Sequence, residues 1–175
     1  MLRFVCPLIV VDEIARSRYF YEQILGQKVK DDFGVNVSFE GNFAIHLKAH
    51  YQSLLGDVTQ YPVAPKAHNG ELYFETDELE PICQRLKQAG VEFIHVIREQ
   101  PWGQRVMRLY DPDEYVVEIG EMMEITVERL YRQGLSIEHI IQRTSMSREF
   151  VEHVIHNLDG AGQVAMMDEI AAAIG

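Results

Sequence analysis

The sequence predicts an α+β fold built from two copies of one strand–helix–strand–strand–strand module, followed by a helical extension. Three observations predict it. Residues 3–50 and 70–120 run through the same order of elements. Each copy has an acidic residue, Asp12 or Asp77, where the first strand gives way to a helix. Each also closes on a turn, Gly41-Asn42 or Asp113-Glu114, followed by an apolar strand. A module repeated at this scale is one supersecondary unit used twice. Helices joined to strand meanders cover one sheet face and leave the other for a partner or a ligand.

In the first copy RFVCPLIVV, residues 3–11, reads as a buried strand, with Asp12 as helix N-cap. Ile14, Ser17, Tyr21 and Ile24/Leu25 then recur at helical spacing, and Gly26 takes the position after the helix that favours glycine. Short strands are expected at 27–33 and 35–40. FAIHLKAH alternates, with Phe43, Ile45 and Leu47 on one face and Ala44, His46, Lys48 and His50 on the other. Residues 51–69, with Pro62 and Pro65, read as a linker. In the second copy ELYFET is a strand, and Asp77 with Glu80 forms a capping box. Leu79, Ile82, Leu86 and Ala89 make the buried stripe, and Gly90 ends the helix. VEFIHVIR, QRVMRLY and YVVEIG are the remaining strands. Superimposing the two turns sets His46 opposite Glu118.

The tail, 121–175, reads as a helix ending at Gly134, a second capped by Ser136 and a third capped by Ser147. Phe150, Val151, Val154, Ile155 and Leu158 stripe the third helix, and LDGAGQVAMMDEIAAAIG forms a short helix or a frayed end. The spacing resembles a helix-turn-helix. Charge opposes DNA binding: of the net −11, residues 1–120 carry −6 and the tail −5, where phosphate contact needs basic surface. A packing or protein-binding appendage is the alternative. The start of the chain is too short in apolar residues for a signal h-region or a membrane span. Cys6 and Cys83 sit in apolar stretches as small core residues, which fits a reducing cytoplasm.

The motifs LIVVDEIARSRYFYEQILG and WGQRVMRLYDPDEYVVEIGE resemble the vicinal-oxygen-chelate superfamily, the glyoxalase, bleomycin-resistance and extradiol-dioxygenase group. The shared features are Asp12, Phe20-Tyr21, Leu25-Gly26, Asp111-Pro112-Asp113 and Glu118, over roughly residues 3–120. The resemblance implies two paired βαβββ modules whose mixed sheets curve around one cup, within a homodimer. It also implies four metal-ligand points, which fall on Val5, His46, Glu71 and Glu118. Val5 cannot ligate, and Glu71 stands where many relatives have histidine. His46, Glu71 and Glu118 would suit Zn²⁺, Ni²⁺, Mn²⁺ or Fe²⁺. Glu71 is also a candidate general base if it is not a ligand.

The other site candidates are read from strand parity. Lys48 shares the His46 face, and Tyr73 and Glu75 share the Glu71 face. Trp102 is a lid or a loop anchor. Met107 and Leu109 look core-facing, which turns Arg108 toward the cup, to meet a carboxylate or phosphate substrate or to bridge a cup carboxylate. His50 and His68 flank the linker and supply a missing ligand only if it folds over the cup. The implied function is a metal-dependent lyase or isomerase acting on a small oxygenated substrate. The alternatives are a metal-free, antibiotic-type binding protein and a ligand sensor acting through the tail.

Overall fold

A computed structural model describes residues 2–56 and 62–158. Two four-stranded mixed sheets carry the repeat. The first contains β1 (Leu8–Val11), β2 (Val29–Asp32), β3 (Asn36–Phe39) and β4 (Ala44–Leu47), in the order β1-β4-β3-β2. The second contains β5 (Glu71–Thr76), β6 (Phe93–Glu99), β7 (Arg105–Tyr110) and β8 (Val116–Glu121), in the equivalent order β5-β8-β7-β6. In the first sheet β1 runs parallel to β4, pairing Leu8 with Ala44 and Val10 with His46, and the other neighbours are antiparallel. The predicted α+β class, with helices after the last strand, is the observed one.

The turns repeat as closely as the sheets. Asn42 and Glu114 both adopt left-handed backbone, at φ 59° and 67°. Each N–H bonds back three residues, to Phe39 and Asp111, and those residues donate forward to Phe43 and Tyr115. The same local chemistry therefore aims β4 and β8, and His46 and Glu118 occupy matching places.

α1 (Ile14–Arg18) continues into a π-helical stretch, Tyr19–Ile24, and Gly26 ends it at φ 67°. Its N-cap is Glu13 rather than Asp12, and no side chain of the helix caps it. Asp113 fills that role from the other module. Its carboxylate accepts from Asp12 N–H and Ser17 Oγ, at 2.7 Å each, and pairs with Arg16. An anion at a helix start is favoured by the exposed N–H groups there.

Other expectations shift. Only Leu8–Val11 of the predicted first strand pairs, and Leu2, Phe4 and Val5 are exposed. The predicted strand 43–50 stops at Leu47, where α2 (Lys48–Leu55) begins, so Lys48 and His50 are helical. α3 starts at Leu79, one residue later than an Asp77 cap implies, and Thr76 Oγ1 accepts from Glu78 N–H. Its buried stripe is Leu79, Cys83 and Leu86, whereas Ala89 is exposed. Residues 57–61 of the linker and the predicted terminal segment 159–175 lie outside the described residues.

The chain divides into two compact units, and the strands of the second sheet run from one into the other. The first comprises residues up to Phe74, Glu80–Val96 and Met107–Glu118. Its core is aromatic: Phe39 stacks on Phe43 at 4.6 Å between centroids, and Tyr21 and Phe74 meet Phe43 edge-on. Burying each such ring contributes about 2 kcal/mol or more. The second unit comprises Glu75–Leu79, Ile97–Val106 and the residues from Ile119 on. There α4 (Met123–Arg132), α5 (Ile137–Thr144) and α6 (148–158) share a core of Val127, Leu130, Ile140, Val151, Val154 and Ile155. Ser136 and Ser147 cap α5 and α6 as expected, and Gly134 follows α4 at φ 89°.

Glu121 is 1% exposed inside the second unit. It accepts from Arg105 Nε and Arg129 Nη2, at 2.7 Å each, and from Thr126 Oγ1. Burial pushes its carboxyl up, but the bonds from Arg129, Arg105 and Thr126 together outweigh burial and hold it below the usual glutamate range.

Candidate functional site

Sheet parity sets the side chains in place. Along β5 burial alternates, so Glu71, Tyr73 and Glu75 are more exposed than Leu72, Phe74 and Thr76. Along β6 the exposed apolar residues are Ile94 and Val96. On β7, Met107 and Leu109 are fully buried, and Arg108 between them is turned to the opposite face. The first unit brings Arg108 to two of the predicted ligands at once. Its Nε donates to Glu71 Oε2 at 3.0 Å, and its Nη2 pairs with Glu118 Oε2. Glu118 is 5% exposed, while Glu71 is open to solvent. A cavity of about 450 Å³ adjoins this pair, lined by His68, Asn69, Glu71, Ile94, Arg108 and Val116.

His46 belongs to a different cluster. It is 8% exposed on β4, and α2 folds so that His50 and Tyr51 lie against it. Asn36 Nδ2 lies 3.3 Å from His46 Nδ1, and His46 Nε2 lies 2.7 Å from His50 Nδ1. With the Asn36 amide assigned as donor to Nδ1, the neutral imidazole carries its proton on Nε2 and donates it to His50. Burial, then the neighbouring His50, lower the His46 pKa below the usual imidazole range.

The remaining candidates disperse. Lys48 Nζ is 3.0 Å from Asp12 at the start of α2. Tyr73 is half-exposed on β5, and Glu75 falls in the second unit. Trp102 lies in the second unit too, where its indole N–H donates to Gln104 Oε1 at 3.0 Å.

The two motif halves meet each other. Tyr21, fully buried, donates to Asp111 Oδ2 at 2.7 Å, and the other Asp111 oxygen accepts from the N–H groups of Asp113 and Tyr115. Burial pushes the Asp111 carboxyl up to about 6, against the bonds from Tyr21, Tyr115 and Asp113. The Tyr115 hydroxyl accepts from Val10 N–H at 3.1 Å. The signature turn of the second module is thus fastened to the first strand and helix of the first.

Sequence reasoning gave no role to Asn36 or Tyr51, and it read His50 and His68 as flanking the linker, where both are exposed. Their signal was spacing: His50 lies four residues beyond His46, and a helix beginning at Lys48 brings it back over the strand end.

Residues 4–124 match the family model of a glyoxalase-like domain. The chain belongs to that glyoxalase-like family. It therefore falls in the vicinal-oxygen-chelate superfamily. It is 38% identical to a protein of unknown function from Agrobacterium tumefaciens str. C58, with a TM-score of 0.62 over 70% of this chain and 95% of that one. It shares its fold with a glyoxalase-related enzyme from Fulvimarina pelagi, at 19% identity and a TM-score of 0.59 over 70% of this chain and 90% of that one. It also shares it with a lactoylglutathione lyase from A. tumefaciens, at 19% identity and a TM-score of 0.51 over 67% and 92% of the respective chains. No curated protein matches the chain.

The glyoxalase-like fold raises the question of a divalent metal. The residues present do not fit one. Among the described residues no three His, Cys, Asp or Glu side chains converge to hold an ion. Glu71 and Glu118 already share a guanidinium, His46 is bonded to His50 and Asn36, and Val5 is exposed and apolar. Among the described residues no helix is long and apolar enough to cross a membrane.

Proposed function

We propose that this glyoxalase-like protein binds a small oxygenated organic molecule without a metal, on the open face of its second sheet. The observation that carries the reading is the cavity beside Arg108, where a charged, hydrogen-bonding floor meets the exposed apolar side chain of Ile94. Ligand sites combine an apolar wall with a few placed polar groups, and this one has both. Arg108 Nε is hydrogen-bonded to Glu71 and Nη2 forms an ion pair with Glu118, and Nη1 has no partner among the described residues, which leaves it for a ligand oxygen. Tyr73, on the same strand as Glu71, extends the face.

The binding region is residues 1–120, residues 121–175 are a protein-facing appendage, and the assembly is a cytoplasmic homodimer. The exposed Phe4, Val5 and Leu8 support a partner at the N-terminal segment. In α6, Arg148 is bonded to Glu138 and Glu152, which supports an appendage that leaves nucleic acid alone.

The test is a melting-temperature screen of small oxygenated aromatic compounds in EDTA, run on the wild type and on Ile94→Glu. Compounds that stabilise the wild type in EDTA but not Ile94→Glu are expected. Compounds that act only when a divalent ion is added would replace this reading with the metal-dependent lyase or isomerase.

A further inference from the structure

We propose that the Arg108 guanidinium is the resident cation of this site, and that it keeps divalent ions out of the two carboxylates it bridges. Glu71 begins β5 and Glu118 lies on its neighbour β8, so sheet order brings the carboxylates toward one point. Glu118 is buried, and a buried carboxylate must be neutralised by a proton, a metal or a fixed cation. Arg108, on the other side of β8, supplies the last of these through one edge of its guanidinium, with Nε on Glu71 and Nη2 on Glu118. The two carboxylates and the arginine sum to a charge of −1, so an entering divalent ion would meet a cation already in place. Arginine stays protonated across the working pH range, so the exclusion does not lapse as it would for a lysine pushed toward neutrality. His68 lines the same cavity as Glu71 and Arg108, and its Nε2 is 2.6 Å from Tyr110 Oη.

The inference concerns the metal only and stands whether or not the site takes an organic ligand. It predicts a latent metal site one substitution away. Wild type, Arg108→Ala and the double variant Arg108→Ala with Glu118→Gln are titrated with Mn²⁺ and with Zn²⁺. Bound metal is read by equilibrium dialysis with elemental analysis, and stability by melting temperature. The wild type is expected to take no stoichiometric metal. Arg108→Ala is expected to melt lower without metal, to bind one equivalent at least about tenfold more tightly than the wild type, and to regain melting temperature as it does so. The double variant loses both gains. Arg108→Met, which keeps the aliphatic stem packed, carries the same test if Arg108→Ala does not fold. A wild type that binds one equivalent, lost in Glu118→Gln, overturns the proposal because the ion then displaces the guanidinium. Folded Arg108 variants that bind no metal overturn it as well.

Discussion

His46 and Glu118 hold equivalent places in the two modules, two residues into the strand that follows the same left-handed turn. Both are nearly buried, at 8% and 5% exposure. The first module covers its polar group with a helix and satisfies it with hydrogen bonds to Asn36 and His50. The second leaves its face open and sets the Arg108 guanidinium against the carboxylate as an ion pair. One backbone position therefore carries two electrostatic solutions. The neutral one closes the face, and the charged one leaves a cavity beside it. The polar demand is inherited with the repeat, whereas the answer to it is local.

That contrast can be tested, beginning where the charge is. Arg108→Ala should cost about 3–4 kcal/mol in urea unfolding, because it strands Glu118. His50→Ala should cost far less, since a neutral imidazole loses one hydrogen bond. Equal losses would erase the distinction between the two solutions.

The pH profile offers the next test. The Asp111 carboxyl sits at about 6 when folded and near its ordinary value of 3.8 when unfolded. Between those values the folded state holds the extra proton, so the Asp111 contribution falls as pH rises and returns on acidification through 6. The difference between wild type and Asp111→Asn should change by roughly 3 kcal/mol across that window in denaturation at stepped pH. A flat difference would show that the carboxyl titrates normally. Tyr21→Phe removes the hydroxyl donor from the same carboxylate and should cost about 2 kcal/mol. His46 gives the smallest effect. Its folded pKa is depressed, so its contribution is present above the ordinary imidazole range and is lost as pH falls through it. In His50→Gln the His46 titration followed by NMR should move up part of the way, since burial remains as the first cause.

Much of this was legible in the amino-acid order. The repeat, the glycines that end the first helices of both modules, the serine caps and the inward turn of Arg108 all follow from local chemistry or strand parity. FAIHLKAH shows where that reading fails. Its alternation runs through Lys48 and His50, but Ala49, Tyr51, Gln52, Leu54 and Leu55 suit a helix equally well, and packing over His46 decides for the helix. Tyr21 and Asp111 were both visible as motif residues, yet 90 positions separate them, and no local rule shows that each is the other's partner. The metal question turned on a contact of the same kind. Parity aimed Arg108 at the open face and left its target, a substrate or a carboxylate of the site, undecided.

The π-helical stretch Tyr19–Ile24 bears on how this chain tolerates changes in length. A π-turn amounts to one residue inserted into an α-helix. Deleting one residue there would restore regular α-geometry at little backbone cost, but it would turn one side of the helix by about 100° relative to the other. Ser17, which answers Asp113, and Tyr21, which answers Asp111, lie on either side of the start of that stretch. A deletion between Ser17 and Tyr21 would turn one of these ties away from the other. The single-residue insertion is therefore a spacer between two anchor points, and a relative lacking it would have to reach the same turn with different side chains.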